Sequence, residues 1–218
     1  MALAAREALA ARASVRVFTW KPPAISWGRQ QPLPDWALGL RGRAGGGLEL
    51  VERPTGGGIA WHGSDVSVSM VAPRAGGWTL SSALCAACES AARLCEDVGA
   101  PASILWDAPA RQRIACCLAE PSPYAVVSRG RKVAGFAARR YPEAWLIQGS
   151  LLVRSLPAAL REHVPAEALA GTDRNACSLE EAAGRLVAPA EAAGWWTDLW
   201  RARVMQEPGG EPVIAHAL

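Results

Sequence analysis

Three consecutive glycines stand between two strand-like segments in RPTGGGIAWHGSDVSVSMV, residues 53–71. Glycine lets the backbone adopt φ > 0 and lets backbone N–H groups approach a ligand closely. The segment has neither the Lys-Ser/Thr of a P-loop nor the spacing of a Rossmann fingerprint. Taken alone, it therefore fits a ligand-binding loop and a plain hairpin turn equally well.

Alternating patterns on both sides of the glycines predict strands. LELVE (48–52) precedes them, and in DVSVSMV (65–71) the residues Val66, Val68 and Met70 share one face while the serines take the other. The RGR of residues 129–131 joins two further apolar segments as a hairpin. The other strands are expected at 15–20, 24–28, 124–128, 132–138 and 145–153.

Helices are expected at both ends of the chain and once in the middle. Residues 1–13 have the pattern of an amphipathic helix, and a long helix is predicted over about 80–97. The capping-box pattern Ser178-x-x-Glu181 predicts a last helix over much of 179–205. Because strands come in runs interrupted by few helices, we predict an α+β fold with a mixed or antiparallel sheet packed with helices.

Length and composition indicate one globular domain. The chain has 218 residues, of which 50% are hydrophobic and 20% charged. We expect a single domain over 1–218, with a core at about 6–153 and a helical C-terminal part at about 157–205. A net charge of +3 is too small to indicate nucleic-acid or membrane binding. The N-terminus lacks the apolar segment of a secretory signal, so we expect a cytoplasmic protein with reduced thiols.

Six cysteines raise the question of a metal site. Cys85-Ala-Ala-Cys88 has the spacing of half a zinc site, but no second pair follows at a matching distance. Leu84, Cys88 and Cys95 also fall on one stripe of the predicted helix. We therefore interpret these cysteines as small buried side chains and predict no metal.

Two later segments carry groups that could be reactive. Lys132 follows the hairpin turn in YAVVSRGRKVAGFAARR (124–140), where position alone favours a solvated lysine among arginines. Cys116 and Cys117 are adjacent in IACCLAEPSPY (114–124), so in a strand they would point to opposite faces and at most one would face a given cleft. A thiolate there could form a thioester, since it is both a good nucleophile and a good leaving group.

Three parts of the chain together resemble the lipoate-protein ligase and octanoyltransferase superfamily, which is related to the biotin ligases. They are VRVFTWKPPAISWGRQQ (15–31), RPTGGGIAWHGSDVSVSMV (53–71) and GRKVAGFAARR (130–140) with the following IQGSLLV (147–153). The resemblance covers about 6–153 and implies a biotin/lipoate-ligase-like catalytic domain. Its glycine loop would pack against a fatty-acyl or lipoyl chain and its activated carboxyl end, and Trp61 is expected to wall that pocket. The substrate-binding residues implied are Arg53, Thr55, Gly56, Gly57, Gly58, His62, Gly135 and Ala137.

The superfamily contains two chemistries. Transferases take octanoyl from acyl carrier protein, hold it on a cysteine and pass it to a lysine of a lipoyl carrier domain, without a cofactor. Ligases use ATP and Mg to form lipoyl-adenylate first. Cys117 stands seven residues before Tyr124, as the nucleophile does in one transferase branch, and Glu52 stands where many members have a second arginine. Both features favour the transferase, with catalytic residues Cys117 and Lys132 and with Cys116 as packing.

Two alternatives stay open at this point. The ATP-dependent ligase would use Lys132 against the carboxylate and α-phosphate, so the lysine does not discriminate between the chemistries. A non-catalytic protein that binds the acyl group or the carrier domain is the third possibility. Arg139 and Arg140 could meet an acidic carrier domain, or could form an ordinary solvated face. The expected partners are thus a lipoyl carrier domain and acyl carrier protein, with no nucleic acid and no membrane.

Overall fold

A computed structural model describes residues 13–40, 48–108, 115–205 and 213–216 of the chain. The helix predicted over 1–13 falls almost entirely outside these residues. The described strands form one sheet of seven strands and one of three. Their bounds are β1 Ser14–Phe18, β2 Ala24–Gly28, β3 Glu49–Arg53, β4 Ala60–His62, β5 Asp65–Pro73, β6 Ser103–Leu105, β7 Ala125–Ser128, β8 Arg131–Arg140, β9 Ala144–Leu152 and β10 Val213–His216.

The larger sheet has the order β10-β1-β5-β9-β8-β7-β6, and the smaller sheet has the order β3-β2-β4. In the larger sheet β10 is parallel to β1 and the other described neighbours are antiparallel. In the smaller sheet β2 is parallel to β3 and antiparallel to β4. The α+β prediction with a mixed or antiparallel sheet is therefore confirmed.

The glycine loop is not a hairpin turn. It connects β3 to β4, and both of these strands pair with β2, which lies between them. The sequence pattern also left β4, β6 and β10 without a prediction, because strands of three or four residues carry too short an alternation to recognise.

The described helices lie mostly after the strands. Their bounds are α1 Asp35–Leu38, α2 Leu80–Asp97, α3 Ala158–His163, α4 Ala166–Asn175, α5 Leu179–Ala183 and α6 Pro189–Met205, and a 3₁₀ turn covers Arg74–Gly76. The helix predicted over 80–97 is confirmed, and Thr79 and Ser82 form its capping box. The single helix predicted over 179–205 is wrong. Gly184, at φ 67°, ends α5 in the left-handed conformation, and Pro189 begins α6.

One face of the larger sheet packs against α2 and α6. Val66, Val68 and Met70 of β5 are buried in this core, as their alternation predicts, and Trp196 and Trp200 of α6 are buried with them. Each such valine or methionine stabilises the fold by about 1.5–3 kcal/mol. The helices therefore leave the opposite face of the sheet to the smaller sheet.

A second core lies between the smaller sheet and helices α3 and α4. It contains Ile25, Trp61, Cys116 and Leu160. The indole Nε1 of Trp61 donates to Thr172 Oγ1 at 3.0 Å, and Cys116 Sγ lies 3.2 Å from the same hydroxyl. This cluster fixes the cysteine segment against β4. Across the described helices, none is both long and apolar enough to cross a bilayer.

Cys88 and Cys95 of α2 are buried, as predicted, whereas Cys85 is only partly buried. Burial raises the pKa of Cys88 to about 12 and that of Cys95 to about 12, so both thiols stay protonated at neutral pH. In the ranges that the structure describes, no three His, Cys, Asp or Glu side chains lie close enough together to hold a metal ion.

Candidate active site

A cleft with a cavity volume of about 160 Å³ lies between the two sheets. Ser67, Ser150 and Gly135 stand in register on β5, β9 and β8 and contribute to one wall. The opposite wall comes from β3, the glycine loop and β4. Most of the lining is hydrocarbon, contributed by Phe18, Val51, Ala60, Val68, Phe136 and Ala137. The cleft suits an apolar chain with a polar group at one end.

Backbone hydrogen bonds fix the glycine loop between the sheets. Gly28 N donates to Gly57 O at 3.1 Å, and Arg29 N donates to Thr55 O at 2.9 Å. On the other side Thr55 Oγ1 donates to Gln148 Oε1 of β9 at 2.9 Å. Thr55 is fully buried and therefore serves to anchor the loop.

Gly28 is a close-contact position. A Cβ at residue 28 would lie 2.2 Å from Gly57 O and 2.5 Å from the carbonyl carbon of Gly56. We expect Gly28→Ala to displace the loop and to lower the free energy of unfolding by about 1–3 kcal/mol, measured by urea denaturation. Gly56→Ala is the matched control for stability, because a Cβ there meets nothing within 4 Å. Equal stability of the two variants would contradict this packing.

Gly57 keeps the cleft open in front of a thiol. Its φ is 96°, and a Cβ there would lie 3.4 Å from Cys117 Sγ and 3.4 Å from Arg53 Nη2. A side chain at this position would thus be strained and would cover the sulfur. A Cβ at Gly56 would meet nothing within 4 Å, and the Gly58 carbonyl that accepts from Cys117 is one that any residue would supply.

Cys117 is placed by backbone hydrogen bonds to Ile59, the residue just before β4. Ile59 N donates to Ala115 O at 2.9 Å, and Cys117 N donates to Ile59 O at 2.8 Å. The thiol donates to Gly58 O at 3.3 Å and lies 3.7 Å from Arg53 Nη2. Cys116 points the other way, into the second core, where burial raises the pKa of its thiol. Of the two cysteines, Cys117 is the one that lines the cleft.

Lys132 is buried on the wall of the same cleft, contrary to the interpretation that position alone favoured. Its Nζ donates to Cys117 O at 2.7 Å, to Ser122 Oγ at 2.7 Å and to Glu120 O at 3.3 Å. In the described part of the chain its hydrogen bonds thus go to oxygens rather than to the sulfur. Burial lowers the pKa of Lys132, and electrostatic interactions with neighbouring groups that can become anionic, Cys117 first among them, offset part of that effect.

A β-bulge turns Lys132 towards the cleft. Lys132 pairs with Val127 while Ala134 pairs with Val126, so Val133 is the extra residue on β8. Residues 132 and 135 therefore share a face although three positions separate them. A Cβ at Gly135 would lie 2.8 Å from Lys132 Cε, so the glycine makes room for the lysine side chain.

His62 is held on both ring nitrogens. Nδ1 lies 2.7 Å from Asp65 Oδ2, and Nε2 lies 2.5 Å from Ser26 Oγ. Trp20 stacks on the ring, with centroids 4.2 Å apart. Because a carboxylate only accepts hydrogen bonds, Nδ1 carries the hydrogen and donates it to Asp65. Both nitrogens are thus engaged inside the protein.

The buried carboxylate of Asp65 accepts hydrogen bonds from several donors. It accepts from Ser150 Oγ at 2.6 Å, from Ser67 Oγ at 3.0 Å and from Gly63 N at 3.0 Å, besides His62. Burial alone would raise the pKa of Asp65, but the charge of His62 and these hydrogen bonds outweigh it, and the pKa lies below the ordinary 3.8.

This depressed pKa predicts how stability depends on pH. The stabilisation from Asp65 is complete above pH 3.8 and is lost as the pH falls through the pKa of the folded protein. We expect Asp65→Asn to cost about 3 kcal/mol of unfolding free energy at pH 7, and the difference from wild type to shrink below pH 3.8. Urea denaturation between pH 7 and pH 3 measures the unfolding free energies of wild type and Asp65→Asn. A difference between them that stays constant over this range would contradict the lowered pKa of Asp65. The exposed Asp173→Asn is the control.

The structure brings most of the predicted site residues to one cleft. Seven of them line it, namely Arg53, Gly57, His62, Cys117, Lys132, Gly135 and Ala137. Thr55, Gly56 and Gly58 lie in the adjoining loop. The expectation that Trp61 walls the pocket is wrong, because neighbouring strand residues alternate and Trp61 points into the second core while His62 faces the cleft. Trp20 takes that place.

Several polar residues around the cleft were not predicted. Ser26, Asp65 and Ser150 come from three different strands, and the register of two sheets was needed to find them. Asp65, three residues after His62, carried the one recognisable signal. Arg139 and Arg140 lie over the rings of Tyr141 and Trp145, which leaves both predicted roles for them open.

The chain belongs to the family described as the lipoyl protein ligase A/B catalytic domain, whose model matches residues 1–193. It is 35% identical over 190 residues to octanoyltransferase LipM of Moorella thermoacetica, covering 80% of this chain and 68% of that protein. The fold is similar to that of lipoate-protein ligase A bound with ATP, with a TM-score of 0.67, 16% identity, and 99% of this chain and 83% of the other covered.

A second solved structure has a similar fold. It is the bipartite lipoate protein ligase of Thermoplasma acidophilum, from a study of that enzyme and its E2 lipoyl domain. The TM-score is 0.60 at 15% identity, with 97% of this chain and 81% of the other covered. The predicted family and fold are therefore confirmed.

Proposed function

We propose that this protein transfers an octanoyl group from an acyl carrier protein to a lysine of a lipoyl carrier domain, through a thioester on Cys117. The observation that carries this proposal is the thiol of Cys117 on the wall of an apolar cleft, left uncovered by Gly57. The relative from Moorella thermoacetica is an octanoyltransferase, which supports the same chemistry.

Two acyl transfers make up the reaction. First, the Cys117 thiolate attacks the carbonyl carbon of the donor thioester, a new C–S bond forms, and the donor sulfur leaves and takes up a proton. Second, the ε-amine of the carrier lysine attacks the Cys117 thioester, a C–N bond forms, and the thiolate leaves while the amine loses a proton. Both transfers start from a thioester, so neither needs a nucleotide for activation.

The cleft supplies binding energy and electrostatic stabilisation. Its apolar lining would hold the acyl chain at about 0.8 kcal/mol for each buried CH₂. The charge of the buried Lys132 would stabilise the oxyanion that develops on the acyl carbonyl, while its hydrogen bonds to Cys117 O, Glu120 O and Ser122 Oγ hold the ammonium in place. The reaction needs a reduced thiol, which a compartment such as the cytoplasm preserves.

Glu52 argues against the ATP-dependent ligase as the first choice. Glu52 adjoins Arg53 on β3, but its side chain is on the strand face that Leu50 shares, away from the cleft. Glu52 therefore takes the position of a second arginine without supplying a cation that could hold an adenylate or phosphate. The ligase is the alternative that the fold allows, and Mg and ATP would then be required.

Two reactions with an unmodified lipoyl carrier domain test the proposal, with the intact mass of the carrier as the readout. One contains octanoyl-acyl carrier protein without ATP, and the other contains free octanoate or lipoate with Mg-ATP. We expect a mass gain in the first reaction and a hydroxylamine-labile octanoyl adduct on the Cys117 peptide. A gain in the ATP reaction alone would make the protein a ligase. No gain in either would favour a non-catalytic acyl-binding protein.

A further inference from the structure

Arg53 connects the glycine loop, the thiol and a buried polar chain. Its Nη2 donates to Gly58 O at 2.8 Å and lies 3.7 Å from Cys117 Sγ. Its Nη1 donates to Ser26 Oγ at 2.7 Å. A single planar guanidinium therefore contacts the reactive sulfur on one side and the interior of the smaller sheet on the other.

The polar chain continues from Ser26 through His62 to Asp65. Ser26 Oγ lies 2.5 Å from His62 Nε2, and His62 Nδ1 lies 2.7 Å from Asp65 Oδ2. The three residues are 0%, 2% and 1% exposed. Since Asp65 holds the imidazole and Ser26 faces it, the oxygen that accepts from Arg53 has one fixed position.

We propose that Ser26, His62 and Asp65 are positioning residues that hold the Arg53 guanidinium beside Cys117 Sγ, and that Arg53 is the cation in direct contact with the thiolate. This inference rests on the proposed thioester chemistry for its purpose. It assigns the polar chain a role in preparing the nucleophile, in place of the substrate-binding role predicted for His62.

The hydrogen bonds of the two cations distinguish their roles. Lys132 Nζ is directed to the oxygens of Cys117, Glu120 and Ser122, so it holds the cysteine segment. The protonated thiol donates to Gly58 O, and that bond disappears when the proton leaves. The contact with Arg53 strengthens at the same moment, because the partner becomes an anion.

Arginine is suited to this contact because it stays charged and its planar fork binds in several directions at once. The guanidinium stabilises the thiolate only if its orientation is fixed, since the Arg53 side chain could otherwise extend along the cleft into water. The other ionisable groups among the described lining residues are Glu52, His62 and Lys132. Glu52 alternates with Arg53 on β3 and points to the other face, so the orientation of the guanidinium rests on its hydrogen bonds to Ser26 Oγ and Gly58 O.

The alkylation rate of Cys117 tests the inference without any acyl donor or carrier. Iodoacetamide is added to the whole protein between pH 5 and pH 9, and the Cys117 peptide is followed by mass spectrometry. We expect Arg53→Gln to slow alkylation at pH 7 by roughly tenfold and to move the midpoint of the pH profile upward. Ser26→Ala should also slow alkylation and raise the midpoint of the pH profile, by a smaller factor. Ser26→Thr keeps the hydroxyl and should restore the wild-type rate and midpoint.

Control variants separate positioning from a general loss of structure. Ser90 is a buried serine of α2 that accepts from Trp196 Nε1, so Ser90→Ala should lower stability without moving the Cys117 profile. Lys132→Met should slow alkylation less than Arg53→Gln does. A wild-type profile for Ser26→Ala, or a larger effect of Lys132→Met than of Arg53→Gln, would overturn the inference. Failure of octanoyl transfer with these profile shifts intact would instead reject the proposed function alone.

Discussion

Cys117→Ser abolishes octanoyl transfer to the lipoyl carrier domain, with an expected loss of at least about 10³-fold in rate. The serine hydroxyl is a far weaker nucleophile at neutral pH, and the groups described against the Cys117 sulfur, Gly58 O and the Arg53 guanidinium, are not bases that would activate it. The side chain is nearly the same size, and Cys117 packs at the cleft wall rather than in a core, so the variant should fold. The rate is measured from the intact mass of the carrier over time.

Cys116→Ser is the matched control, one residue away. Cys116 lies in the second core, 7% exposed and against Thr172, and does not line the cleft. Its replacement should lower thermal stability slightly and leave transfer near the wild-type rate. Equal losses in both variants would show that the cysteine segment has a structural rather than a chemical role, and unchanged transfer in Cys117→Ser would reject the thioester.

Lys132→Met has the second largest expected effect, a loss of transfer of about 10²-fold or more. The variant removes the buried cation from the site where negative charge develops on the acyl carbonyl. It also leaves Cys117 O, Ser122 Oγ and Glu120 O without this donor. Relief of the buried charge offsets part of that cost, and we expect a net loss of about 2 kcal/mol in unfolding free energy at pH 7.

The difference in unfolding free energy between wild type and Lys132→Met should depend on pH if Lys132 is a buried cation. Burial lowers the pKa of Lys132 in the folded protein below the ordinary 10.5. The cost of the buried charge is therefore present below that pKa and is relieved as the pH rises through it towards 10.5, so wild type should gain stability relative to Lys132→Met over this window. Urea denaturation between pH 7 and pH 10 measures the gain, with the exposed Lys21→Met as control. A difference that shrinks with rising pH would contradict the buried cation.

The local pattern of residues predicted a large part of this fold. The alternation of Val66, Val68 and Met70 located the buried face of β5, and the spacing of small and apolar residues located α2. These features are local because a strand or helix that buries one face repeats its apolar residues with a fixed period. The motif around Gly57 and the one around Lys132 indicated the family before any contact was known, and the spacing of Cys117 and Tyr124 favoured its transferase branch.

Other features could not be predicted because they depend on pairs of distant segments. The pattern of Ser178–Glu181 indicated the start of a helix, but the break at Gly184 depends on a turn that the pattern did not specify. Strand β10 is parallel to β1, about 200 residues earlier, and its four residues carry too little alternation to identify it. Short elements take their conformation from the partner strand rather than from their own sequence.

The sequence by itself thus determined the family and the class of fold, and it indicated Cys117 as the thiol that we propose as the nucleophile. Tertiary structure alone decided that Lys132 is turned inward by a bulge and bound to oxygens, and that Arg53 contacts the sulfur. It also decided that Ser26, His62 and Asp65 form one polar chain. The physical reason is that hydrogen bonds are directional and short, so these roles depend on strand register and sheet packing, which a residue's neighbours in the chain do not encode.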